Sequence, residues 1–348
     1  MRALVLEEWW RLTVADIPDP VVGEHDILLE ILATGICGSD IHGYTGDNGR
    51  REPGQVMGHE TVGRVIARGA GLADGDGAPV GAVVTVNPVI GCGHCSRCIA
   101  GQEQACTDRV VIGVTPALHS AFAERMVAPA RNVVALPEGT PPEHGALVEP
   151  LAVGLHAARR GSVRPGDTVL VIGGGPVGQA CVLAAQREGA RAVAVSEPNS
   201  SRRRLNESLG ALTVDPSSES DVPASVRGLL GGSPSVVIDA VGVTETLETA
   251  FACAGLMSPV VLVGMGRPTL QLAAFEVSTK ERSLIGSFCY TAEEFRETAA
   301  WAGTQPEKLA RLVEGRVDLM AGAEAFQQLA SGATDASKVL VFPNGLDA

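Results

Sequence analysis

The stretch VLVIGGGPVGQ, residues 169–179, runs from an apolar segment through a glycine-rich turn into a helical pattern. Gly173, Gly175 and Gly178 fall in G-x-G-x-x-G register, with Pro176 and Val177 between the last two. In that register the first glycine makes the turn, the second admits a pyrophosphate close to the backbone, and the third lets helix and strand pack tightly. N–H groups at the helix start then meet the phosphate charge. The bare motif is weak in a chain with 42 glycines, but the strand before it and the helix after it supply the context for a dinucleotide site. A further apolar run, 191–195, ends at Ser196-Glu197. Glu197 stands where a carboxylate accepts hydrogen bonds from ribose hydroxyls and repels a 2′-phosphate, which favours NAD over NADP. Arg202-Arg203-Arg204 is the counter-signal. It could pair with a 2′-phosphate, although its plain reading is a solvated helix face. Arg202 joins the glycines, Pro176, Val177 and Glu197 as a cofactor-binding candidate.

Outward from this turn the alternation continues. AVAV is followed by SSRRRLNESLG, and VVIDAVG and VVLVGMG come after. Such alternation predicts a doubly wound parallel sheet with helices on both faces, an α/β domain placed at 153–290. Before Pro150 the texture differs. Short β-type runs such as DILLEIL (26–32), TVGRVIA (61–67) and AVVTV (82–86) are broken by Gly and Pro, which predicts an antiparallel, barrel-like domain. A helical pattern at 292–313 and a strand-like KVLVF at 338–342 close the chain. The uncharged run 260–265 is expected as a strand at a subunit edge.

Forty acidic residues against 27 basic ones leave a net charge of −13. That charge repels polyanions and argues against nucleic acid or an anionic membrane surface as a partner. Uncharged windows at 168–186 and 249–266 are interrupted by Gly and Pro, and read as strand–helix joins, not membrane spans. MRALVLEEWW has no apolar signal core followed by a cleavage site. A cytoplasmic location is therefore expected, where thiols stay reduced.

GCGHCSRCIAGQEQAC, residues 91–106, holds four of the eight cysteines. Cys92, Cys95, Cys98 and Cys106 are spaced C-x2-C-x2-C-x7-C, which suits a closed tetrahedron of thiolates around Zn²⁺. Gly91, Gly93 and Gly101 permit the turns. The seven-residue gap argues against an iron–sulfur cluster, and four thiols in one loop argue against a redox C-x-x-C pair. A metal with four thiolates has no open position, so it holds the loop and does not catalyse.

Catalysis needs a zinc with an open position. Cys37 in ICGSDIH can supply a thiolate, His59-Glu60 follows a glycine, and Glu149 falls where the two sequence textures meet. Alone, each is weak. A lone cysteine is commonly a small apolar core residue, as Cys181, Cys253 and Cys289 are read here. A lone His or Glu is commonly a surface or satisfied polar group.

Taken in order, ICGSDIH, GHE, the four-cysteine loop, LVEPLAVGLHA, GGGPVG and TKERSLIGSFCY resemble the zinc-dependent medium-chain alcohol dehydrogenases over essentially the whole chain. The look is nearest to the sorbitol, butanediol and threonine dehydrogenase branch. That resemblance implies a GroES-like barrel at 1–152 and 291–348 holding the zinc sites, and a Rossmann domain at 153–290. It implies Cys37, His59 and Glu60 as catalytic zinc ligands, with Glu149 bound directly or through water. Ser39 and His42 match the proton relay, and Asp40 the carboxylate that orients the histidine ligand. Two departures stand out: His119-Ser120 where a glycine pair is common, and Gly174 where alanine is frequent. The implied activity is hydride transfer between a secondary alcohol, as in a polyol or vicinal diol, and NAD. Two zinc ions per chain and a homodimer or homotetramer are implied with it. Neutral polyols are expected over hydroxy acids, because Cys37 and Glu60 would already cancel the metal charge. The alternatives are a threonine or amino-alcohol dehydrogenase, a zinc-free reductase that would lack this ligand set, and a non-catalytic dinucleotide-binding protein with structural zinc only.

Overall fold

The computed structural model describes residues 1–346 except 48 and 117. They form two compact units, Met1–Glu149 with Thr291–Ala348, and Pro150–Tyr290. The first is built on a seven-stranded, mostly antiparallel sheet around strand Asp26–Gly35, which pairs with Glu60–Arg68, Arg125–Pro129 and Val339–Phe342. Alternate residues of that strand, Ile27, Leu29 and Ile31, are buried with Val65, Val84, Val86 and Met126, as period-2 patterning demands. A second apolar cluster gathers Leu4, Leu6, Tyr44, Met57, Phe122 and Phe326. Phe326 meets Tyr44 and Phe122 edge-on at 5.7 and 5.3 Å. This cluster supports helix Gly38–Thr45, which buries Asp40, Gly43 and Tyr44 and stops at Gly46 in the left-handed region, φ 85°. Glycine takes that conformation at no steric cost.

The second unit carries a six-stranded parallel sheet in the order Leu212–Val214, Ala192–Ser196, Thr168–Ile172, Val236–Asp239, Pro259–Leu262, Ser283–Gly286. Thr168–Ile172 is buried throughout, as expected of a strand covered on both faces. Two sequence expectations need correction. The first half of the run, 260–262, belongs to the interior strand Pro259–Leu262, the rest follows it as a loop, and the edge strand is Ser283–Gly286. The apolar character of Val260 and Val261 reflects burial between neighbouring strands, whereas Met265, past the strand, is 55 % exposed. The pattern at 292–313 is two helices, Ala292–Ala302 and Pro306–Ala310, because Pro306 cannot continue a helix and starts a new one.

Candidate metal and cofactor sites

Strand register explains how distant ligands meet. Gly35, the last residue of one strand, pairs with Glu60, the first of its antiparallel partner. Cys37 lies two residues beyond the first strand and His59 one before the second, so both reach the same end of the sheet. A Cβ on Gly35 would overlap the Glu60 carboxylate. Gly58, at φ 104°, turns the chain into His59 against Phe122. One ligand atom each from Cys37, His59 and Glu60 lie within 4.8 Å of one another. Thiolate, imidazole and carboxylate form a donor set that fits zinc.

Neighbours hold this trio. His59 Nδ1 lies 3.3 Å from Asp40 Oδ1, a contact aligned too poorly for a formed hydrogen bond, and Nε2 is 3.4 Å from Ser39 Oγ. The Cys37 N–H donates to Asp40 Oδ2 at 3.2 Å. Burial opposes charge on His59, but the Asp40 carboxylate and the Cys37 thiolate outweigh it and raise its pKa well above the ordinary value. Burial also pushes Asp40 up, yet His59, Arg51 and the Cys37 N–H prevail and hold it below the usual carboxylate range. Ser39, Asp40 and His42 all belong to helix 38–45, with His42 exposed. Glu149, 7 % exposed in the first turn of helix Val148–Arg160, stands outside the trio.

Sequence reasoning missed Lys338. Its Nζ donates to both oxygens of Glu60, at 2.7 and 2.5 Å, and to the Ile36 carbonyl at 3.3 Å. Burial works against this ammonium, but Glu60, Cys37 and Glu149 raise its pKa above that of ordinary lysine. Arg51, also missed, reaches Asp40 at 3.2 Å. The available signal was a cation directly preceding a wholly apolar strand. Glu60 therefore stands within reach of a metal while its charge is already compensated.

The four loop cysteines also converge within 4.8 Å. Helix Ser96–Ile99 begins at Cys95, whose sulfur accepts from the Cys98 N–H at 3.5 Å. Cys92 Sγ accepts from the Cys95 N–H at 3.4 Å, and the His94 and Cys95 N–H groups pull its pKa down to about 6. Converging backbone donors thus favour thiolate at Cys92, the form a metal requires, whereas at Cys98 the Gly93 N–H is outweighed by burial and the neighbouring thiols, which push its pKa up to about 12. Gly93 and Gly101 take positive φ, 83° and 70°. Gly91 does not. There a side chain would instead meet Cys98 Sγ at 2.7 Å.

In the glycine turn, a Cβ on Gly178 would overlap the Gly173 carbonyl, so strand and helix are in closest approach here. Gly175 caps helix Pro176–Arg187, with Pro176 in its first turn. Val177 is half-buried, and the open backbone at Gly175 fits a pyrophosphate. Glu197 is 4 % exposed and accepts from the Gly174 N–H at 2.7 Å and the Asn199 N–H at 2.8 Å. Its carboxylate thus braces the turn as well as ending the strand. Asn206 explains why Gly174 replaces alanine: its Nδ2 donates to the Gly174 carbonyl, and a Cβ at 174 would meet that nitrogen at 2.8 Å. Of the three arginines, Arg203 binds the Glu197 and Pro198 carbonyls and Asp215, and Arg204 binds Ser201. Arg202 approaches to 3.9 Å of where a Gly175 side chain would begin, and its Nε finds no partner among the described residues.

Comparison with known proteins fits this geometry. Residues 23–138 match the family described as alcohol dehydrogenase GroES-like domain, and residues 176–304 match zinc-binding dehydrogenase. The chain is 32 % identical over 296 residues to L-galactonate-5-dehydrogenase of Escherichia coli (strain K12), covering 85 % of each. It is 31 % identical over 340 residues to "Probable D-xylulose reductase A" of Arthroderma otae, covering 95 % of this chain and 94 % of that one. A zinc-binding dehydrogenase from Sinorhizobium meliloti 1021, solved bound to NADP, superposes with a TM-score of 0.90 at 32 % identity, covering 98 % of this chain and 99 % of that one. A thiol–imidazole–carboxylate trio, a four-cysteine loop and a glycine turn, in this order and with these matches, mean that the chain belongs to the zinc-type medium-chain alcohol dehydrogenase family.

Proposed function

We propose that the chain oxidises a secondary hydroxyl of a polyol or sugar-acid chain with NAD, using one zinc at Cys37 and His59 and a second in the cysteine loop. The convergence of Cys37, His59 and Glu60 carries this reading. Bound zinc would act as a Lewis acid that lowers the hydroxyl pKa, and NAD would take the hydride. Cys37 and His59, from opposite chain segments, would hold the metal. Ser39 Oγ, 3.4 Å from His59 Nε2, accepts the proton leaving the substrate hydroxyl, and exposed His42, one turn along the helix, passes it to solvent. Glu149 lies close enough in charge to influence Lys338 and serves as a further, direct or water-linked, carboxylate.

The charge count revises one expectation. Lys338 cancels Glu60 and Arg51 cancels Asp40, which leaves the Cys37 thiolate and Glu149 to balance a divalent cation. A carboxylate elsewhere on the substrate is then not repelled. Substrates of the sugar-acid type named for the Escherichia coli relative are therefore included with neutral polyols.

NAD is favoured by Glu197 at the end of its strand. NADP has one observation behind it: Arg202 beside the turn with an unpartnered Nε. A homodimer or homotetramer joined through the Ser283–Gly286 edge, where Leu284 is 39 % exposed, and a reducing, cytoplasmic setting for the free cysteines complete the reading. The test is NADH formation across pentitols, hexitols, sugar acids, vicinal diols and threonine, with NADP run in parallel. Cys37→Ser and His59→Ala should abolish turnover while NADH binding persists. Unchanged turnover in either variant ends the proposal.

A further inference from the structure

Arg51 is carried by the fold at a cost. It is 3 % exposed. A guanidinium so deep loses its hydration, which opposes burial. Its Nε and Nη1 find no partner among the described residues, and unmet buried donors add to that penalty. Gly43 adds another cost. It sits inside helix 38–45, where alanine is the better helix former, yet a Cβ there would overlap Arg51 Cγ. The arginine stem thus crosses the helix at a position that only glycine leaves open. One group benefits from these concessions. Arg51 Nη2 lies 3.2 Å from Asp40 Oδ1, and that same oxygen lies 3.3 Å from His59 Nδ1.

We propose that Arg51 is a positioning residue for the catalytic metal site, acting through Asp40 to fix the His59 ring, with Gly43 required to admit it. The inference rests on the zinc reading above. Asp40 is wholly buried. Without a cation it would carry an uncompensated charge and turn toward other donors, and the ring would lose the group that selects its tautomer. His59 must keep its proton on Nδ1, facing Asp40, for the Nε2 lone pair to face a metal. Arg51 meets the ring through Asp40, on its Nδ1 side.

The test uses the full zinc-loaded chain and three variants. Arg51→Met removes the charge but keeps the stem, Arg51→Lys restores a charge without the fork, and Gly43→Ala leaves the arginine in the sequence but blocks its path. Zinc per chain and the rate of zinc release to a chromogenic chelator are measured, with the cysteine-loop zinc as internal reference. Arg51→Met and Gly43→Ala should release the catalytic zinc about 10–100-fold faster, the range for loss of an outer partner of a metal ligand. The loop zinc should leave at the parental rate, and Arg51→Lys should fall between. Parental release rates in both Arg51→Met and Gly43→Ala would overturn the proposal, even if both melt earlier, since Arg51 would then only pack. Should Arg51→Met fail to fold, Gly43→Ala, which raises helix propensity, decides alone. A parent chain holding only the loop zinc would instead remove the metal reading, and the role of Arg51 with it.

Discussion

Lys338 shows what single residues contribute beyond the ligands. Its ion pair with Glu60 is buried to 3 % and 1 % side-chain exposure. Removing one partner of such a pair strands the other charge in the interior. Lys338→Met should lose about 3–5 kcal/mol in urea unfolding, and adding Glu60→Gln should recover much of that loss. If the double variant is no more stable than Lys338→Met, the stranded-charge account is wrong. Cys37, His59 and Glu60 could be named as candidates only through the resemblance of the motifs that carry them, since each alone is an ordinary residue, and folding brings their ligand atoms within 4.8 Å. Lys338 and Arg51 were not legible, because a lysine beside an apolar strand is an ordinary sight in any sequence. Only folding places Lys338, 278 positions away, on Glu60.

Among elements, the glycine turn and the cysteine loop were readable in outline because their spacing is local. The turn makes a sharp demand: Gly178→Ala should cost about 1–3 kcal/mol through overpacking against the Gly173 carbonyl. NADH affinity, read by fluorescence titration, should fall by roughly tenfold or more. Cys95→Ala should lower the Tm by on the order of 10 °C, since each kcal/mol lost shifts a domain of this size by a few degrees. Activity per remaining catalytic zinc should change less, and calorimetry with metal analysis separates the two effects. Helix 142–147 is tied to strand Gly315–Asp318 by a two-pronged pair, Arg316 Nε and Nη2 to Glu143 at 2.7 Å each. The Arg316 hydrogen bond holds the Glu143 carboxyl below its ordinary pKa. A depressed carboxyl contributes stability above its unfolded pKa and loses it as pH falls through the lower folded value. Arg316→Met should therefore cost on the order of 0.5 kcal/mol at neutral pH and nothing once Glu143 is protonated. Equal loss at both pH values would show that the pair acts by packing. The run 260–265 was misplaced because apolar character reports burial, and both an interior strand such as Pro259–Leu262 and a subunit edge are apolar.

For the whole molecule, the decisive feature is that Thr291–Ala348 folds with Met1–Glu149, so the last strand brings Lys338 to a site opened by residues near position 37. Stepwise chelation should reflect this build: the first zinc removed abolishes activity with little change in Tm, and the second lowers Tm. Simultaneous loss of both would contradict separate sites. No helix among the described residues is long and apolar enough to cross a membrane, which agrees with the glycine- and proline-broken apolar windows. By itself, the sequence determined the parallel α/β sheet, the cysteine loop and the glycine turn, because each follows from periodicity or short spacing. The tertiary structure decided the rest. Cross-strand register brought Cys37 to His59, and chain return brought Lys338 to Glu60. The path of Arg51 across Gly43 depends on packing between distant segments. Such pairings are set by the burial of charge and by pairing geometry in three dimensions, which no local pattern encodes.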